Sequence, residues 1–331
     1  MKILELKQIT MIMKTMKAVM GIIGFFLIVS LLSCSNEETT PAMGEVVVNV
    51  TDAPINPENI EGVFLSIIEV HAITGDEMDD DEEMDDVEGM DEGDDADENR
   101  VIVTFDEPVF FDLMSYQNGA TYLLGDGMIE AGTYSGLRFI ISGRNDSYVL
   151  FKDGTQEPLN IPSGTSSGYK VNGSFEVGAN STTAIVADID LSKALVLIGQ
   201  GEYKLRPTGR VITQAATGTI TGTVTGAVNE NEIIIVYAYK AGTYLDSEAD
   251  VPSEGETRFQ NAVNSALVAE DGTYTLAFMP PGEYELIVAT YSNDENMNFL
   301  GRITNTLLLD GEGISTVTVE ANTTVTVSIN L

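Results

Sequence analysis

From residue 43 onward the apolar residues fall at every second position, and that spacing restricts the chain to sheet. Val46, Val48 and Val50 alternate with Glu45, Val47 and Asn49. Near the other end Val317, Val319, Val325, Val327 and Ile329 alternate with Thr, Ser and Glu. A period of two sends successive side chains to opposite faces of a strand, one for a core and one for water. Val, Ile and Thr lose χ1 freedom in a helix and suit a pleated surface. Turn formers recur at Asp153-Gly154, Asp271-Gly272, Pro280-Pro281-Gly282 and Asp310-Gly311, as tight strand connections require. Helical spacing is clearest at Phe259, Ala262, Val263, Ala266 and Leu267, which reads as one short helix or as a strand. The expected fold class is all-β: two antiparallel β-sandwich domains.

A boundary is expected near Ala215-Ala216-Thr217, because Gly218 to Val224 starts a fresh strand. This divides the body of the chain into 44–214 and 217–331. A short motif recurs in both parts: Gly132-Thr133-Tyr134, Gly201-Glu202-Tyr203, Gly272-Thr273-Tyr274 and Gly282-Glu283-Tyr284. Glycine admits the turn, and the Tyr then opens a strand with its ring inward. Its hydroxyl is left to bond a nearby backbone carbonyl, as in the tyrosine corners of sandwiches.

The first 34 residues read as an address. Lys2, Lys7, Lys14 and Lys17 precede an apolar run from Ala18 to Leu32. As a helix that run would span about 22 Å at about 1.5 Å per residue, short of a bilayer core of about 30 Å. It is expected to be a secretory signal, residues 1–33, with Met1, Met13 or Met16 as the start. It ends Leu31-Leu32-Ser33-Cys34, and Cys34 is the only cysteine in the chain. This resembles the lipobox of bacterial lipoproteins. The resemblance implies cleavage before Cys34, a diacylglyceryl group on its thiol, and an outer-membrane location. Two or more acyl chains anchor stably where one does not. Residues 34–43 then form a flexible tether. Ser35-Asn36-Glu37-Glu38 resembles the signal of lipoproteins displayed outside the cell.

Two further resemblances cover the remainder. Residues 44–214 resemble an uncharacterised bacterial lipoprotein domain family through Val46 to Pro54, Gly132 to Arg138, Ile161-Pro162-Ser163-Gly164 and Gly201 to Pro207. That resemblance implies a β-sandwich and no catalytic residues. Residues 217–331 resemble the transthyretin-like, carboxypeptidase-regulatory-like sandwich through Gly218 to Val224, Glu270 to Leu276 and Met279 to Leu286. It implies seven strands and a spacer or contact module.

Charge excludes several functions. There are 52 acidic residues against 16 basic ones, a net charge of −36, which repels a phosphate backbone and makes nucleic acid an unsuitable partner. One Cys and one His cannot build a Cys/His zinc site or an intrachain disulfide. Residues 76–98 hold 16 acids in 23 positions, a density that cannot pack, so a disordered loop is expected between strands ending at Ile73 and starting at Val101. Asp79, Asp80, Asp81, Asp85 and Asp86 are candidates there for weak, diffuse Ca²⁺ binding. The EF-hand spacing fails, so no tight calcium site is expected, and no other cofactor is implied.

Four further features carry candidate chemistry. Gly164-Thr165-Ser166-Ser167-Gly168 fits the G-x-S-x-G pattern. The nucleophile elbow also needs a following helix and a later His, and no His follows. The loop is instead a candidate ligand edge through Ser163, Thr165 and Ser166. Asp188 and Asp190 alternate with Ile189 and are candidates for metal binding or glycoside chemistry; a polar strand face explains them as well. Asp52 is expected to cap the turn after the first strand. His71, the sole histidine, is expected to be a structural residue at a strand edge. The function expected is a non-catalytic cell-envelope lipoprotein serving as a surface binding or adhesion module, its ligand a glycan or a protein. The alternatives are an accessory glycan-binding or glycan-degrading lipoprotein and a structural envelope component.

Overall fold

The computed structural model describes residues 41–331 except 54–59, 76–99, 163, 167, 199–201, 227–231, 254–256 and 295–297. The signal, Cys34 and the five aspartates of the acidic run therefore lie outside the described residues, as does Ser163.

Among the described residues twelve strands come first: β1 (Met43–Thr51), β2 (Ile60–Ile73), β3 (Arg100–Asp112), β4 (Tyr122–Glu130), β5 (Gly132–Ile141), β6 (Tyr148–Phe151), β7 (Gln156–Asn160), β8 (Tyr169–Val177), β9 (Thr182–Asp188), β10 (Leu195–Ile198), β11 (Glu202–Leu205) and β12 (Arg210–Thr213). They form one sheet in the order β10-β11-β7-β6-β2-β5-β8-β12-β9-β1-β4, with β3 on the other side of β2. The alternation is obeyed: Val46, Val48 and Val50 are all fully buried, and the residues between them are half exposed. The sheet curls until β3 meets β4. At that crossing a Cβ on Gly127 would fall 1.8 Å from the Ile102 carbonyl oxygen, so only glycine fits. The curl encloses one apolar core that includes Leu65, Phe139, Tyr169 and Ile185.

β2 and β3 are antiparallel neighbours, with Ala72 opposite Arg100, so the acidic segment joins adjacent strands. Three pairs in this sheet are parallel, β1 with β9, β11 with β7 and β12 with β8. A period of two fixes which face is buried; it carries no record of the direction of the neighbour, so antiparallel pairing alone was too narrow an expectation.

Eleven strands follow among the described residues: β13 (Gly218–Thr225), β14 (Glu232–Lys240), β15 (Asn264–Leu267), β16 (Thr273–Met279), β17 (Gly282–Ser292), β18 (Phe299–Ile303), β19 (Thr306–Leu309), β20 (Glu312–Ile314), β21 (Val317–Val319), β22 (Thr324–Thr326) and β23 (Ser328–Asn330). One sheet runs β16-β13-β23-β19-β20 with β22 beside β13; the other runs β15-β14-β17-β18 with β21 beside β17. Their facing sides share a core around Ile220, Tyr274, Leu276 and Val288. The run Ile233 to Tyr239 is apolar without alternation because β14 is buried on both faces. Its far side packs on Phe259, Ala262 and Tyr291. Residues 259–262 form a turn with Phe259 at φ +56°, and β15 takes the rest of the segment with helical spacing. The strand reading is the one observed.

Three of the four Gly-x-Tyr motifs show the expected hydroxyl-to-carbonyl bond; Gly201 of the fourth lies outside the described residues. Tyr134 Oη donates to the Glu130 carbonyl at 2.8 Å, and Tyr284 Oη to the Pro280 carbonyl at 2.6 Å, each four residues upstream. Tyr274 Oη reaches across to the Val327 carbonyl at 2.7 Å. No described helix is long and apolar enough to cross a membrane.

Candidate functional site

Among the described residues, polar side chains gather at the seam between the first sheet and the later two and in an open cleft beside β7.

The seam holds the aspartates singled out in the sequence. β9 ends at Asp188, and Asp190 leaves the strand to cap a helical turn, α1 (Leu191–Ala194), accepting from Ser192 N at 3.1 Å. The two carboxylates are thus not paired on one strand face. Asp188 is 4% exposed and accepts from Arg210 Nε at 2.9 Å. Asp190 pairs with Lys193 Nζ at 2.9 Å. Asp52 lies beyond the end of β1, is 3% exposed, and accepts from Leu191 N at 2.9 Å and Gln117 Nε2 at 3.0 Å. It therefore joins the first strand to α1; the turn it was expected to cap, residues 54–59, lies outside the described residues. Burial pushes the Asp52 carboxyl well above the ordinary carboxylate range, and the nearby charges of Asp190 and Asp188 add to this. Burial raises Asp188 as well, with Arg210 opposing.

The later sheets close the seam. Lys193 Nζ donates to the Ala262 carbonyl at 2.9 Å, and Leu267 N donates to Asn118 Oδ1 at 3.0 Å. A pocket of about 230 Å³ remains, lined by Asp188, Asp190, Lys193, Arg210 and Asn264. Each of these four charges already has a partner of opposite sign. Among the described residues no group of three or more His, Cys, Asp and Glu is placed to hold a metal ion.

His71 is set inside the sheet, with Val101 opposite it on β3 and Arg138 on β5, and not at an edge. Its Nε2 lies 2.7 Å from Glu69 Oε2, on the same strand face two residues back. An isolated strand pattern does not reveal how many neighbours the strand has, so the edge expectation failed.

The cleft has a volume of about 730 Å³ and is lined by the β5–β6 turn, β7, Ile161, Pro162, Gly164, Thr165 and Ser166 of the following loop, and Glu202 of β11. The turn is stiff, because Ser142 Oγ sits 2.8 Å from both Ser66 Oγ and Asp146 Oδ2. Leu159 plugs into the core and its N–H bonds the Ser147 carbonyl at 2.9 Å. The loop is pinned at Gly164, whose carbonyl accepts from Ile141 N at 2.9 Å. A Cβ there would lie 2.9 Å from Ile141 Cγ1. After Ser166 the chain enters β8, a strand, so the helix of a nucleophile elbow is lacking. Exposed Arg144, Asn145, Glu157, Asn160, Thr165 and Ser166 line the cleft. Thr165 and Ser166 were legible as a polar loop; Asn160 and Glu157 were not, since they join the cleft only through the pairing of β7 with β6.

The fold and these two sites define an all-β protein with sandwich-like sheets. Residues 43–207 match the family described as "Domain of unknown function (DUF4382)", so the chain carries a DUF4382 domain. The match ends before β12, although β12 lies inside the same sheet between β8 and β9. No curated protein matches the chain. Among solved structures it is similar to the TIE protein of Bacillus anthracis, at 11% identity and TM-score 0.17, over 87% of this chain and 34% of that one. A leucine-rich repeat protein of Bacteroides thetaiotaomicron gives 12% identity and TM-score 0.20, over 88% and 26%. The minor pilin GBS52 of Streptococcus agalactiae gives 11% and 0.19, over 86% and 94%. The chain thus spans about a third or less of the length of the first two. At such TM-scores no function transfers from any of them.

Proposed function

We propose that the chain is a non-catalytic binding module of the bacterial envelope, anchored through acyl chains on Cys34, displayed outward, and meeting its ligand in the β7 cleft. The supporting observation is a contrast. The seam carboxylates that could do chemistry are each held by a cation or a backbone N–H, whereas the exposed amides, hydroxyls and carboxylates converge on an open cleft. Rigid strands carry that cleft and loops rim it, the usual division between scaffold and recognition surface.

The test is a screen of the full chain against immobilised polysaccharides, peptides and envelope proteins, with and without calcium. Asn160→Lys/Thr165→Arg, which fills the cleft from exposed positions, is screened beside it. Cells given a fatty-acid probe should label the parent and leave Cys34→Ser unlabelled. A hydrolytic activity lost in a folded Asp188→Asn/Asp190→Asn variant would overturn the reading.

A further inference from the structure

Beside the cleft, four adjacent strands carry a stripe of rings on their outer face. Phe64 on β2 stands directly opposite Tyr148 on β6, and Tyr148 opposite Pro158 on β7. Phe110 on β3 is opposite Ser66, two residues along from Phe64. Opposed residues share a face of a sheet. The alternate residues Val63, Leu65, Phe111 and Val149 all enter the core, which places the stripe on the outside. Ring centroids lie 5.2 Å apart for Phe64–Phe110, 4.9 Å for Phe64–Tyr148 and 5.6 Å for Phe110–Tyr148. Gly62 makes room for the central ring: a Cβ there would fall 2.7 Å from Phe64 Cε2. Phe110 is 47% exposed. Pro158 belongs both to the stripe and to the cleft lining, so the two surfaces are continuous. At about 4.8 Å per strand, four strands span about 14 Å, the length of a short oligomer rather than a single ring.

We propose that stripe and cleft together bind a neutral carbohydrate chain, an inference that rests on the binding role given to the cleft above. A sugar offers C–H faces and hydroxyl edges. The rings of Phe110, Phe64 and Tyr148 match the faces by apolar contact. Glu157, Glu202, Asn160 and Thr165 match the edges, with carboxylates and amides each able to bond more than one hydroxyl. The net charge of −36 repels an acidic polymer and leaves a neutral one unopposed. An extended peptide adding as a strand would need a free sheet edge, which among these four strands only β3 with Phe110 offers; Phe64 and Tyr148, and the cleft beside them, stand on interior strands already bonded on both sides.

The experiment is affinity electrophoresis of the full chain in gels containing a β-1,3-glucan, a β-1,4-glucan, an α-mannan or alginate. Retardation by at least one neutral polymer and not by alginate is expected. Phe110→Ser and Tyr148→Ser should each weaken it about tenfold with Tm of the fold retained. The inference is overturned if no neutral polymer retards the chain, or if retardation survives both substitutions. A peptide or protein retained through the cleft in the broad screen, with no polysaccharide retained, would sink the carbohydrate assignment and leave the binding reading standing.

Discussion

Lys193 Nζ donates to the carbonyl of Ala262, 2.9 Å away in space and 69 residues along the chain. With Asn118 Oδ1 and Leu267 N it ties the first sheet to the later pair. We expect the full chain to unfold in one calorimetric transition. Lys193→Met keeps the stem and removes a charged hydrogen bond, and should cost about 2 kcal/mol. Combined with Asn118→Ala it should split the transition in two.

The Asp188–Arg210 pair makes a second prediction. Arg210→Ala leaves a nearly fully buried carboxylate without its cation, and should cost about 3 kcal/mol in urea unfolding. Asp188→Leu/Arg210→Leu removes both charges and should cost less than the single change.

Asp52 sets a pH dependence. Its folded-state pKa is raised by burial, so the folded protein holds the proton more tightly than the unfolded chain does. Stability therefore falls as pH rises from the unfolded value of about 4 through the folded value. Asp188, also raised, acts in the same direction. Asp52→Asn should flatten the decline of the urea midpoint between pH 4 and the folded value. An unchanged slope would contradict the raised pKa.

The closure of β3 on β4 depends on Gly127. Gly127→Val would drive a side chain into the Ile102 carbonyl and should cost more than about 3 kcal/mol. Gly132→Ala meets nothing within 4 Å and should change the urea midpoint little.

The strands, the buried face of β1 and the tyrosine corners at Tyr134 and Tyr284 were legible in the sequence, because each follows from spacing within a few residues. The seam was not. Asp52 and Leu191 are 139 positions apart and meet only through the parallel pairing of β1 with β9. The aromatic stripe was hidden for the same reason: Phe64, Phe110 and Tyr148 come from three strands, and none of their local patterns marks the outer ring as part of a set. Thr165 and Ser166 could be read as a polar loop, but the opposite wall of the cleft depends on the register between Tyr148 and Pro158.

The most direct measurement is hydrogen exchange of the full chain, followed by mass spectrometry, with and without the screen component that the parent retains and Asn160→Lys/Thr165→Arg does not. Slowed exchange at residues 143–145 and 157–166, with the seam around Asp188 unchanged, is the predicted result. Protection confined to the seam, or no component that distinguishes parent from variant, would contradict the account.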